Sequence, residues 1–395
     1  MRILFVTAGV LPVPVTKGGA VETLVEYILE VNEVEKKLDI ELVSCFDQES
    51  LAKSEKYNKT KFYFIERKNY AMKLLYFFGS VLKKIKVKKF QRISDYDYLL
   101  KLKKIIQSKK YDKIIVENRV GFVTFIKKST KSNLYLHLHN DNLNANIPFS
   151  KEIYDNCDGV LTVSEYIKSR VCSIDNMDNK TKVLINCTDT EMFNKEINLS
   201  YRDKIRADLG ISSDDLVFLF SGRLIKEKGI KELLIAFKNI KENNVKLLVL
   251  GSGWYGVNVK NKFQLELEEI SADFKEKVIF TGFINRDDVS KFHSVADIAV
   301  VPSIWEEPAG LVVLEAQASG LPLILTNSGG IPELITRDAV IIVERDEKIV
   351  ENLYQAINTF IQDRSKISEM SIAAIRNAEK YNKKYYYDSF LKILM

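Results

Sequence analysis

The sequence predicts two α/β domains, each a doubly wound parallel sheet. Two observations carry that expectation. Short apolar runs alternate with helical patterns along the whole chain, and most of the runs are continuous rather than alternating, as suits parallel strands covered on both faces. The length, 395 residues, also exceeds what one ordinary core accommodates.

The first-half runs are RILFVTA (2–8), DIELVSCF (39–46), KFYFIE (61–66), DKIIVEN (112–118), NLYLHLH (133–139), GVLTVS (159–164) and KVLINC (182–187). The second-half runs are LVFLFSGR (216–223), VKLLVLGSG (245–253), KVIFTGF (277–283), IAVVPS (298–303), PLILTN (322–327) and AVIIV (339–343). Helical segments such as GIKELLIAFKNI and RDDVSKFHSVAD lie between them. This is βαβ grammar used twice. A polar stretch at 186–215 marks the boundary. We expect a first domain at 1–190, a second at 191–375, and a helical tail at 376–395. In such sheets ligands bind at the carboxyl ends of the strands, so a cleft between the two domains is the expected site.

Composition narrows the class. A hydrophobic fraction of 46% and a charged fraction of 28% are those of a globular protein. No run is long enough for a membrane-spanning helix, and MRILFVTAGV enters a strand directly without the layout of a signal peptide. A cytoplasmic protein is expected. Cys45, Cys157, Cys172 and Cys187 are scattered and read as reduced thiols. The net charge of +6 is concentrated in residues 68–92, where MKLLYFFGSVLKKIKVKKFQR mixes lysines with apolar residues at helical spacing. This suits an anionic membrane surface, and equally a core-docked helix with a solvated lysine face. No nucleic-acid motif accompanies it.

Chemistry is expected where strands end. SGRLIKEKG places Arg223 and Lys228 between a strand and a helix opened by Gly229, a pattern for clamping a diphosphate. The plainer alternative is a solvated loop. Gly251 in GSGW permits close backbone approach, though such glycines are common in βα turns. Ser328, Gly329 and Gly330 form a turn that offers N–H groups to an anion, or simply caps a helix. In SIWEEPAGLVVLEAQASG, Glu307 stands at a strand end and Glu315 a turn into the next helix. Gly310 and Leu311 present N–H groups between them. A carboxylate accepts two hydrogen bonds, so each Glu can hold vicinal hydroxyls. Hydroxyl acceptors flanking an anion site match a nucleotide sugar. In the first domain, Gly18 and Gly19 make a flexible turn. His137 and His139 share a face by period two. They could bind a metal, but no third ligand is evident in the sequence nearby. His139 is the better candidate for a substrate hydroxyl, and His137 reads as a core histidine.

These motifs, in this order and spacing over about residues 215 to 340, closely resemble the retaining family 4 glycosyltransferases of GT-B fold. The resemblance rests on SGRLIKEKG, LGSG, FTGF, VPSIWEEPAGLVVLEAQASGLPLILTNSGGIPEL and the glutamate pair. It implies two Rossmann-like domains with parallel sheets facing across a cleft, and transfer of a hexose from a nucleotide sugar, UDP being the family's habit. By resemblance, Arg223 and Lys228 bind the donor diphosphate, Glu315 the ribose, and Glu307 the donor sugar with N–H groups of Ala309, Gly310 and Leu311. Phe283 and Ile284 meet the base through backbone groups. Gly18 and Gly19 line the phosphate and acceptor side, and His139 touches the transferred sugar. No metal or other cofactor is implied, and the C-terminal helix packs back on the first domain. Membrane docking by residues 68–92 fits a lipid-linked acceptor in capsule or cell-surface polysaccharide assembly. Ala309 replaces a common aromatic, Cys187 replaces a glycine, and Glu22 comes one residue late after the glycine pair. The rivals are an epimerase or phosphorylase of similar fold, recognised by donor consumption without a second sugar acceptor, and a non-catalytic partner subunit, recognised by absent nucleotide binding.

Overall fold

The computed structural model describes residues 1–66, 96–175, 179–253 and 262–395. The basic segment at 68–92 lies outside the described residues. The chain divides into two compact units, one of Met1–Val163 with Ile167–Leu184 and one of Ser164–Tyr166 with Ile185–Met395.

The first unit holds a seven-stranded sheet of β1 (Arg2–Val6), β2 (Asp39–Cys45), β3 (Thr60–Ile65), β4 (Lys113–Glu117), β5 (Asn133–Leu138), β6 (Gly159–Thr162) and β7 (Thr181–Val183), in the order β3-β2-β1-β4-β5-β6-β7. The second holds β8 (Leu216–Ser221), β9 (Val245–Leu250), β10 (Val278–Gly282), β11 (Ile298–Val301), β12 (Leu323–Thr326) and β13 (Val340–Val343), in the order β10-β9-β8-β11-β12-β13. Every pairing is parallel. Each expected strand forms. The continuous apolar runs are buried on both faces, as in β8, where Leu216 to Phe220 are all covered.

Helices cover the sheets by burying one stripe. In Ile230–Lys238 the buried residues Ile230, Leu233, Leu234 and Phe237 recur at i, i+3, i+4 and i+7. They join Phe218, Leu247, Ile298 and Phe360 in the core of the second unit. Several buried charges are partnered. Glu41 accepts the hydroxyls of Tyr63 at 2.8 Å and Tyr111 at 2.7 Å and pairs with Lys109. Arg206 donates to the carbonyls of Val295 and Ser212, each at 2.9 Å. The cysteines are free thiols, Cys157 and Cys187 buried.

In each sheet the strand order reverses once, between β1 and β4 and between β8 and β11. Crevices at the carboxyl ends beside such a switch point are where ligands bind in this architecture. Of the expected site residues, Gly18 and Gly19 follow β1, Arg223 and Lys228 follow β8, and Glu307 to Glu315 follow β11, while His139, Gly251 and Phe283 with Ile284 follow the neighbouring strands β5, β9 and β10.

Candidate functional site

In the second unit, the turn after β8 and the loop after β11 are locked together. Gly229 has φ +68°, and a Cβ there would lie 1.8 Å from the Pro302 carbonyl oxygen. Only glycine lets the Lys228 turn come so close. Ile304 N–H then donates to the Glu227 carbonyl at 3.0 Å. Lys228 Nζ stands 2.6 Å from Glu307 Oε1, and Ser303 Oγ donates to the same oxygen at 2.7 Å. Glu307 is 4% exposed. Burial works against its charge, but Lys228 outweighs it, with help from Ser303, and holds the carboxyl below the usual range.

The loop's far side is tied to the turn after β12. Glu307 N–H donates to Ser328 Oγ at 3.1 Å, Gly329 N–H to Glu306 Oε2 at 2.6 Å, and Gly330 N–H to the Glu307 carbonyl at 2.8 Å. Arg345 pairs with Glu306. The expectation that the Ser328–Gly330 turn offers N–H groups to an anion is therefore corrected: those of Gly329 and Gly330 are bonded to the glutamate loop. A Cβ on Gly329 would meet the Glu307 carbonyl oxygen at 2.1 Å, so this glycine serves loop packing.

The N–H groups of Ala309, Gly310 and Leu311 have no hydrogen-bond partner among the described residues. They precede or open the helix Leu311–Ala318, where an anion is favoured. Ala309 itself is buried, so its methyl is packing. Glu315 is half-buried on that helix, and its carboxylate has no hydrogen bond or ion pair among the described residues. Burial pushes it up to about 7, against the pull of Arg286. Arg286 opens the helix Arg286–His293 and was not singled out by the sequence. Nothing in its motif marks it, since its relation to Glu315 arises only in the fold. Phe283 and Ile284 are half-buried in the loop before that helix, and Arg223 is half-buried two residues past β8. Gly251 has φ +137°, and a Cβ there would lie 1.9 Å from the Gly222 carbonyl oxygen. Strand-end crossing alone thus demands glycine at 251.

The first unit gathers its own cluster at the β1/β4 switch point. Glu117 and His137 are cross-strand partners in β4 and β5. His139 lies two residues on, on the same face. One oxygen, Glu117 Oε2, is 3.1 Å from His137 Nδ1 and 2.9 Å from His139 Nε2. The third group that the sequence did not reveal beside the histidine pair is thus Glu117, brought in by strand register. The three donor atoms lie within 4.8 Å of one another, close enough in span for a metal. Their contacts are hydrogen-bond distances converging on one oxygen, which is the geometry of a carboxylate bridging two ring N–H groups. His137 is only half satisfied: its Nε2, like Glu117 Oε1, is sealed without a partner among the described residues.

The turn with Gly18 and Gly19 opens the helix Ala20–Glu35. Its approach is pinned by Val13 N–H to Ser44 Oγ at 2.8 Å and Val15 N–H to Glu26 Oε2 at 3.2 Å. Gly19 has φ +111°, and a Cβ there would fall 2.4 Å from Glu22 Oε2. Glu22 is buried, and that burial, with Glu117 nearby, pushes it up to about 7. The sequence left Glu22 without a role. Its place under the glycine turn brings it into the site.

Two doubly wound parallel sheets, the second with a lysine–glutamate pair and free N–H groups at its switch point, define a glycosyltransferase of GT-B fold. Residues 201–381 match the family model of glycosyl transferases group 1. It is 38% identical over 191 residues to the uncharacterized glycosyltransferase MJ1607 of Methanocaldococcus jannaschii, a match spanning 47% of this chain and 46% of that relative. It is 27% identical over 389 residues to spore coat protein SA of Bacillus subtilis, covering 96% of this chain and 95% of that one. The fold matches the crystal structure of Anabaena HepE in complex with UDP and glucose, at TM-score 0.76 and 19% identity over 100% of this chain and 99% of that one.

Proposed function

We propose that this glycosyltransferase moves a hexose from a UDP-sugar to a hydroxyl of a glycan or lipid-linked saccharide, with retention at the anomeric carbon, in bacterial cell-surface polysaccharide synthesis. The observation that carries the reading is the Lys228–Glu307 pair at 2.6 Å, beside N–H groups without a partner among the described residues and followed by a carboxylate, Glu315, that has no hydrogen bond or ion pair among them.

The chemistry poses a charge problem. As the glycosidic bond breaks, positive charge builds on the sugar and negative charge on the diphosphate. Arg223, Lys228 and the N–H groups of Ala309, Gly310 and Leu311 meet the latter as preorganised donors. Glu307, kept anionic by Lys228, accepts hydroxyls of the donor sugar, and Glu315 accepts those of the ribose. Phe283 and Ile284 serve the base, and Gly251 the donor. Gly18, Gly19 and His139 of the first unit serve the transferred sugar and the acceptor. Front-face departure and attack is the proposed route. No metal is included, because these cations and dipoles take its part, and activity is expected to survive chelation by EDTA. UDP follows the family's habit and agrees with the ligand of HepE; a spore coat protein among the relatives supports the surface role. Among the described residues no helix is long and apolar enough to cross a membrane. Docking of residues 68–92 on anionic lipid is proposed as the route to a lipid-linked acceptor, and failure to sediment with anionic liposomes would remove it.

A panel of UDP- and GDP-sugars screened by thermal unfolding tests the donor, because a ligand that binds the folded state raises the midpoint. The anomeric configuration of the product, read by NMR, tests retention. Preference for a GDP-sugar, or an inverted product, overturns the corresponding part.

A further inference from the structure

We infer that Glu117 fixes His139 as the Nε2–H tautomer, so that His139 meets its substrate as a hydrogen-bond acceptor and selects a sugar hydroxyl over a carboxylate at that place. The inference rests on the proposed reading of His139 as a residue that touches the sugar, and it makes Glu117 a positioning residue.

The geometry leaves little choice of proton placement. Glu117 Oε2 lies 2.9 Å from His139 Nε2 and 3.1 Å from His137 Nδ1. A carboxylate has no hydrogen to give, so each nitrogen facing it carries one. His139 then holds its lone pair on Nδ1, and His137 holds its own on the sealed Nε2. His139 Nδ1 has no hydrogen-bond partner among the described residues, and the His139 side chain is 5% exposed against 1% for His137. The ring is held by its backbone too. His139 N–H donates to Asn118 Oδ1 at 3.1 Å, and Asn118 N–H to the His137 carbonyl at 2.7 Å. Asn118 adopts φ +51°, a left-handed turn that asparagine tolerates better than most residues.

The protonation states agree with this placement. Burial opposes charge on Glu117, but the ring N–H groups it accepts from His137 and His139 help to hold the carboxyl below its usual range. Burial pushes His139 below the usual histidine range, so its ring is neutral near pH 7. A neutral acceptor beside an anionic Glu117 welcomes an O–H donor and repels a second carboxylate. A neutral hexose fits that demand, and a uronic acid does not.

The test uses the full chain with 15N-labelled histidine rings. The chain has three histidines, so His137→Ala and His139→Ala assign the long-range 15N–1H spectrum. In the wild type, His139 is expected to carry hydrogen on Nε2 and none on Nδ1, and His137 the reverse. Glu117→Gln, whose amide both donates and accepts, is expected to release the lock and show both tautomers of His139. A hydrogen on His139 Nδ1 in the wild type overturns the inference, as does loss of both ring hydrogens on adding zinc chloride at micromolar excess. The wild-type spectrum decides, so a variant that folds poorly does not shelter the idea. In the donor panel, UDP-glucose is expected over UDP-glucuronate by about tenfold or more, the scale of one hydrogen bond, with the ratio collapsing in His139→Ala. Preference for the uronate overturns the selection. If no nucleotide sugar binds at all, the transfer reading falls, while the spectra still judge the tautomer.

Discussion

Lys228 Nζ and Glu307 Oε1 stand 2.6 Å apart across two loops that are 79 residues apart in sequence. Glu307 is the buried member, and Lys228 keeps it ionised. Lys228→Met should leave that carboxylate buried with Ser303 and Trp305 as its remaining side-chain partners and destabilise the fold by about 1–3 kcal/mol. The pH sign follows from the depressed folded pKa. Glu307 contributes stability above its unfolded value of about 4.5 and loses it as pH falls through the lower folded value. The variant should show a weaker loss of stability on the acid side below pH of about 4.5. Urea unfolding at stepped pH measures both, and an unchanged midpoint in the variant would remove the pair from the stability argument.

In the proposed reading Arg223 binds the donor diphosphate; it lies half-buried two residues past β8. Arg223→Ala should keep the circular dichroism spectrum and cut kcat by about two to three orders of magnitude, the scale of losing one preorganised donor. Near-normal turnover in a folded variant sinks the clamp.

Glu315 offers a pH readout. Burial raises it to about 7, so the carboxyl takes up a proton near neutrality. If it accepts ribose hydroxyls as an anion, nucleotide affinity should fall as pH drops below about 7, by up to tenfold per pH unit. Glu315→Gln should bind more weakly at pH 8 and lose that dependence. The stability sign is opposite to that of Glu307. A folded pKa raised above about 4.5 means the native state binds the extra proton, so stability falls as pH rises from 4.5 to 7. Glu315→Gln should therefore gain stability relative to the wild type toward pH 8. Calorimetric titration with UDP and thermal unfolding at both pH values separate the two effects.

Much of this was legible in the sequence, for physical reasons that differ by element. Parallel strands buried on both faces write themselves as apolar runs, so all of β1 to β13 were visible. Lys228, Glu307 and Glu315 stood out as charges beside such runs. The Lys228–Glu307 contact was not visible, because it depends on Gly229 closing against Pro302, and a loop sequence does not state its partner. Glu117 was hidden by the same cause: it reads as the polar end of DKIIVEN, and only its register with His137 gives it meaning. Ser328–Gly330 misled because glycines that serve close packing and glycines that serve anions look alike.

Gly229 gives the sharpest test of how the site is built. Its φ of +68° is unfavourable for alanine, and an added Cβ would lie 1.8 Å from a backbone oxygen that cannot swing aside as a side chain can. Gly229→Ala should therefore destabilise by about 1–3 kcal/mol, the range for a strained left-handed residue, and move the Lys228 turn away from the Pro302 loop. That separation should weaken the Lys228–Glu307 pair, so Gly229→Ala and Lys228→Met should be less than additive in a double-mutant cycle. A control at Gly210, also at positive φ (+69°) but with nothing within 4 Å of the added Cβ, should share the backbone strain without the coupling. Urea unfolding of the single and double variants decides it. Full additivity of Gly229→Ala with Lys228→Met would mean that the glycine does not hold the lysine in place.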